Sequence, residues 1–269
     1  MRNRFARLYP LHFLTLLSVA ILQIVIRNSQ GSFAICRYQD PKHFILNLLF
    51  IPAVGLENGC SYNAPIWSVS VELISYLAFA SLLTFGGKLN LGKLILINIF
   101  TLMLLVFNPI NLPTHILECA LFFFVGTTLF MISLTNSKFP SYTILFIAFF
   151  VFLKYKQTKF GGIDLRESSI PWLFVFGAIL LLQDWANKRF KFLTKIRNAS
   201  EKLGNLTYSS YLLQYPLILC WLIFCSYSSF VFEPQHLPYL MVGYIFILFS
   251  MSHLTFQKYE KYWRERLRN

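Results

Sequence analysis

The residue in this sequence best placed to do chemistry is a lone carboxylate, Glu72, within N-A-P-I-W-S-V-S-V-E-L-I-S-Y (residues 63–76). On a helix, Ser68, Glu72, Ser75 and Tyr76 fall at i, i+4, i+7 and i+8 and so share one face. The remaining residues there are apolar, which puts Glu72 roughly 9 Å into a membrane span at about 1.5 Å per residue. A carboxylate at such depth is costly and is by default a functional residue, with its partner to be named. Apolar surroundings raise a carboxyl's pKa towards neutrality, so Glu72 is a candidate general base or a group that orients one. Ser68 and Ser70 offer hydroxyls that could carry or position a transferred group. Trp67 and Tyr76 would shape the pocket. The alternative reading of Glu72 is a tie between neighbouring helices.

Other polar side chains qualify on position. His12 lies one turn inside the first apolar run and is the histidine placed to be buried, either as a base or as a structural residue. Arg4 and Arg7 precede that run at i, i+3. Two guanidinium groups there could grip phosphates bidentately, or act as basic anchors at a span end. His43, His115 and His236 begin apolar stretches and look like boundary residues, and His253 sits near the end of the last run. Glu118 and Asp184 stand near span ends, where snorkelling accounts for them, and Gly126 looks suited to close helix packing. No histidine pairing or cysteine spacing fits a metal, so no metal site is expected. Cys36 and Cys60 fall in loops on the same side and could pair, but separate thiols are the favoured expectation.

The elements that must position these residues are membrane helices. Of 269 residues, 56% are hydrophobic and 13% charged, against about 25% charged in soluble domains. The predicted fold is all-α, a polytopic bundle forming one domain over 1–269. Spans are expected at about 9–26, 65–85, 94–108, 115–134, 141–153, 170–185, 207–226 and 237–257, making about eight crossings. Residues 43–56 are too short to cross and read as a re-entrant or interfacial segment. The first run is too long for a cleavable signal peptide and lacks a small-residue cleavage site, so it is expected to be part of the fold. The net charge of +13 lies in short clusters between apolar runs, which is the pattern of topology and lipid contact rather than nucleic-acid binding. With both ends cytoplasmic, the outer side holds only Arg27, Arg37, Lys42, Lys154, Lys156, Lys159 and Arg166 of the 24 Lys and Arg.

Several stretches, taken in order, resemble the membrane-bound acyltransferase 3 family, bacterial multi-pass proteins that O-acylate surface polysaccharides. R-N-R-F-A-R-L-Y-P-L-H resembles the family's basic segment before Y-P-L, and N-A-P-I-W-S-V-S-V-E its P-x-W-S-L-S-V-E signature, with Trp67, Ser68, Ser70 and Glu72 in register. L-F-F-F-V-G-T-T-L-F, G-N-L-T-Y-S-S-Y-L-L-Q-Y-P-L-I and S-H-L-T-F-Q-K-Y-E-K-Y-W are similar to its later spans. The resemblance implies transfer of an acyl group, acetyl in the first place, from acyl-CoA to a hydroxyl of an exported glycan across the bacterial inner membrane. It implies acyl-CoA phosphates near Arg4 and Arg7 and no bound cofactor.

Two departures stand out. The family carries two further helices before R-L-Y-P, with an Arg and a His implicated in acyl transfer. The resemblance therefore implies a chain N-terminally incomplete relative to the family, with a partner chain as one source of the two helices. Where the family's late span has His, this sequence has Gln214, and His12 would have to serve as base. An inactive or partner-dependent fragment and a proton-coupled transporter or flippase are the alternatives. The absence of an inverted repeat counts against the transporter.

Overall fold

The computed structural model describes residues 2–109, 111–135, 159–160, 163–164, 171–172, 175–179, 193–228 and 233–268. Among them the fold is helical: α1 (Arg2–Gln30), α2 (Pro41–Leu48), a 3-10 turn (Pro52–Val54), α3 (Ile66–Gly86), α4 (Leu91–Phe107) and α5 (Thr114–Thr135). Two residues each in β1 (Lys159–Phe160) and β2 (Ile163–Asp164) pair antiparallel. Then come α6 (Leu193–Ser228), a 3-10 turn (Pro234–His236) and α7 (Leu237–Thr255), which runs through a π turn (Phe256–Glu260) into α8 (Lys261–Arg268).

Among the described residues, five stretches are long and apolar enough to cross a bilayer: Leu8–Gln30, Ile66–Gly86, Thr114–Ile132, Leu203–Ser228 and Leu237–Trp263. These match five of the expected spans. Where a span was expected at 94–108 the structure has α4, an apolar helix whose 17 residues cover about 25 Å, less than a hydrocarbon core of about 30 Å. The expected 141–153 span lies outside the described residues. Of the 170–185 span, only 171–172 and 175–179 are described, and they are helical.

The chain divides into two compact units, residues 1–70 with 198–269, and residues 71–197. In the first, Leu16, Val19 and Ile26 of α1 pack with Cys36, Tyr62 and with Tyr215 and Leu219 of α6. The segment after α1 turns back along it. The Gln23 amide donates to the Ala34 carbonyl at 2.8 Å and its oxygen accepts the Ala34 N–H at 3.0 Å. Further on, the Asn47 carbonyl meets His12. Gln23 and His12 are separated by roughly 16 Å of helix axis, so the returning segment runs deep beside α1. The 43–56 stretch, expected to be re-entrant or interfacial, is formed by the end of α2, an eight-residue helix, and the 3-10 turn Pro52–Val54.

A disulfide between Cys36 and Cys60 closes this segment, with Cα atoms 5.0 Å apart. This corrects the expectation of two separate thiols. Cys36 is fully buried beside α1, and the backbone pairing of Tyr38 with Ser61 brings the two ends together. Sequence spacing carries neither contact.

In the second unit α4 packs on α5. Leu105, Leu117 and Leu121 form its centre, and the Asn98 amide donates to Thr128 Oγ1 at 2.7 Å. An amide buried between apolar helices binds them through that hydrogen bond. A Cβ added at Gly126 would meet nothing within 4 Å, so the close packing expected there is not made among the described residues.

Candidate functional site

The site is built from α1 outward. His12 has no exposed surface. Its Nε2 lies 2.8 Å from the Asn47 carbonyl oxygen, near the end of α2, where helix carbonyls lack intrahelical partners. A carbonyl only accepts, so Nε2 carries the proton and the lone pair of the neutral ring is on Nδ1. That Nδ1 is buried and has no hydrogen-bond partner among the described residues. Phe50 packs against the ring at a tilt of 35°, with centroids 4.2 Å apart, and Tyr9 meets it edge-on at 6.4 Å. The result is a neutral imidazole of set tautomer in an aromatic slot. Of the expected catalytic residues, this is the one with an orienting partner and a bare basic nitrogen.

One turn on, Thr15 donates to the His12 carbonyl at 3.0 Å, and Thr15 Oγ1 accepts from the Asn63 amide at 3.1 Å. Asn63, which opens the 63–76 stretch, is fully buried. Its amide also reaches the Leu212 carbonyl at 3.5 Å. That carbonyl would bond the N–H of residue 216 in a regular helix, but Pro216 has none. Downstream, the Ser70 hydroxyl accepts the Ala53 N–H at 3.4 Å, and Ser68 Oγ lies 2.8 Å from the Tyr211 hydroxyl. Thr15 and Asn63 thus link α1 to α6 beside His12, while separate hydrogen bonds tie Ser68 to α6 and Ser70 to the returning segment.

Glu72 stands one turn beyond Ser68 on α3, partly exposed. It lies near enough to Cys119 of α5 for its charge to act there. On the same stripe, Ser75 is buried and donates to Cys119 Sγ at 3.6 Å. The Tyr76 ring meets Phe123 edge-on, with centroids 5.4 Å apart. Trp67 exposes half of its surface on α3. Arg4 and Arg7 lie in the first turns of α1, and their side chains are outside the described residues. Gln214 contributes its carbonyl, which accepts from the Tyr244 hydroxyl at 3.1 Å.

Several polar groups were not picked out from sequence. His43, expected at a boundary, is buried, because Asp40 caps α2 and holds it twice. The His43 N–H donates to Asp40 Oδ1 at 3.0 Å, and its ring Nδ1–H to Oδ2 at 2.6 Å. Those bonds, the backbone N–H first, keep the Asp40 carboxyl below its ordinary range. The legible signal was D-P-K-H, an Asp N-cap followed by Pro at the first helical position. Glu57 accepts from Ser61 and Asn47, and partial burial pushes its carboxyl upward. Glu260, buried in the π turn, accepts from Ser209. An acid inside the apolar last span was the available signal. No cluster of His, Cys, Asp and Glu able to hold a metal occurs among the described residues. No protein-family model, curated protein or solved structure matches the chain.

Proposed function

We propose that the chain is a membrane-embedded O-acyltransferase that moves an acyl group, acetyl in the first place, from acyl-CoA to a hydroxyl of an exported glycan. The observation that carries this reading is the bare Nδ1 of His12. A buried acceptor without a donor costs about 1–3 kcal/mol, and an acceptor hydroxyl is the group that would satisfy it. In acyl transfer, the hydroxyl oxygen attacks the thioester carbonyl while Nδ1 takes its proton. The thiol then leaves and receives a proton in turn, with His12 as the general acid.

In this reading Glu72 is the second ionisable group. It serves as a base or orients one, and Ser68 and Ser70 carry or position the acyl group. Arg4 and Arg7 hold the donor's phosphates at the start of α1. In this reading the chain crosses a bacterial inner membrane eight times, with both ends on the cytoplasmic side. The motif resemblance of the 63–76 stretch supports the acyl-transfer class, and the Lys and Arg distribution supports the orientation.

The test is transfer of radiolabelled acetyl from acetyl-CoA to lipid-linked or exported glycan in membrane vesicles. His12→Gln keeps an amide N–H for the Asn47 carbonyl but has no basic nitrogen. The expected result is a loss of transfer of about a hundredfold or more, from the lower end of the usual general-base contribution upward. Wild-type transfer by His12→Gln would overturn the role of His12, and its absence from wild-type vesicles would overturn the class.

A further inference from the structure

The geometry points to Asn47 as the positioning residue of the site: its side chain is pinned so that its main-chain carbonyl fixes the tautomer and aim of His12. This rests on the acyl-transfer reading of His12. Asn47 is fully buried. Its amide nitrogen is within reach of three acceptors: the His43 carbonyl at 3.0 Å, Glu57 Oε1 at 3.0 Å and Ser61 Oγ at 2.8 Å. Ser61 in turn donates to the same Glu57 oxygen. Asn47, Glu57 and Ser61 therefore close a ring of hydrogen bonds in which each hydrogen has an acceptor.

Two of the three acceptors accept only, which fixes which end of the Asn47 amide is nitrogen. The ring anchors the C-terminal turn of α2 from one side. From the other, the Asn47 carbonyl accepts the Phe50 N–H at 3.0 Å and, on its second lone pair, His12 Nε2–H. An imidazole in an aromatic slot has little else to hold its tautomer. Should the carbonyl drift, the proton can exchange to Nδ1 and the basic lone pair turns away from the reacting hydroxyl. A histidine's tautomer is set by the hydrogen bond its other nitrogen makes. A displacement of about 1 Å in a catalytic group can cost about a hundredfold in rate.

Two variants, Asn47→Leu and Glu57→Leu, test this in the full chain with two readouts. The first is the vesicle transfer assay. Asn47→Leu is expected to lower kcat about tenfold or more while leaving KM for acetyl-CoA within about twofold, because the phosphate-binding end is untouched. The second is the ¹⁵N spectrum of histidine-labelled protein, with the His12 signal assigned by its loss in His12→Gln. Wild-type protein should show protonated Nε2 alone, and Asn47→Leu a mixture of the two tautomers. Glu57→Leu removes one acceptor and leaves Asn47 in place, so it should show the same changes in smaller degree. It also serves if Asn47→Leu does not accumulate. An unchanged tautomer and kcat in whichever variant accumulates would overturn the positioning role, while His12→Gln remaining inactive would leave the acyl-transfer reading standing. If His12→Gln is fully active, the reading itself falls.

Discussion

Asn63 makes good a hydrogen bond that Pro216 removes. The proline interrupts α6 and leaves the Leu212 carbonyl without its helical donor, and the Asn63 amide reaches that carbonyl from the start of the 63–76 stretch. The same amide donates to Thr15, so one side chain ties α6 and α1 together beside His12.

Removing Asn63 should therefore expose the defect that Pro216 creates. Asn63→Leu is expected to destabilise the protein by roughly 1–3 kcal/mol, the cost of buried groups left unmet. Adding Pro216→Ala returns an N–H to the Leu212 carbonyl and should recover part of that loss. Thermal melts of the two single variants and the double variant in detergent give the coupling. Strict additivity would show that the two residues do not share the carbonyl.

The disulfide predicts a count and a stability change. Maleimide should label three cysteines in denatured, unreduced protein (Cys119, Cys220 and Cys225) and five after reduction. Opening a closed loop of this length, with the paired residues 24 apart, should cost about 3 kcal/mol in Cys36→Ser. Five labelled cysteines before reduction would contradict the pairing.

Glu57 gives the fold a pH dependence of defined sign. Partial burial raises its folded pKa above the ordinary 4.5, so the native state holds the proton more tightly than the unfolded chain. Its contribution to stability is fully present below pH 4.5 and is lost as pH rises through the folded value. Glu57→Gln keeps an acceptor oxygen for Asn47 and Ser61 but has no proton to lose. The melting temperature of the variant relative to wild type should therefore rise from pH 4 to pH 7. A difference that stays flat or falls over that range would remove Glu57 as the cause.

Glu72→Gln should abolish acetylation of the exported glycan in a complemented strain, as read by the acetyl signals in NMR of the purified polysaccharide. The substitution keeps size and hydrogen bonding while removing the ionisable oxygen, so a full loss separates a titrating role from a packing one. An unchanged acetyl content would leave Glu72 as a tie between helices.

Much of the architecture was legible in the sequence because membrane helices announce themselves locally. A run of apolar residues long enough to cross a bilayer needs no partner to be recognised. Accordingly α3, α5 and α7 begin and end close to where composition places them, while α1 and α6 begin well before the expected spans, at Arg2 and Leu193. The shortness of 43–56 marked it as unable to cross. The spacing of Ser68, Glu72, Ser75 and Tyr76 also carried over, since α3 is one continuous helix.

Tertiary structure alone decided which polar residues meet. Nothing in the order of residues says that the segment after α1 folds back beside it, that Cys36 pairs with Cys60, or that a carbonyl of α2 holds His12. These contacts join positions far apart in the chain, where hydrophobic periodicity carries no signal. Their hydrogen bonds involve backbone groups that every residue possesses. His43 shows the limit most plainly: as a residue type at the edge of an apolar run it looked like a boundary, yet Asp40 and the fold around it make it buried. The residue types named the chemistry available to this chain, and the returning segment selected which histidine is both oriented and left with a bare nitrogen.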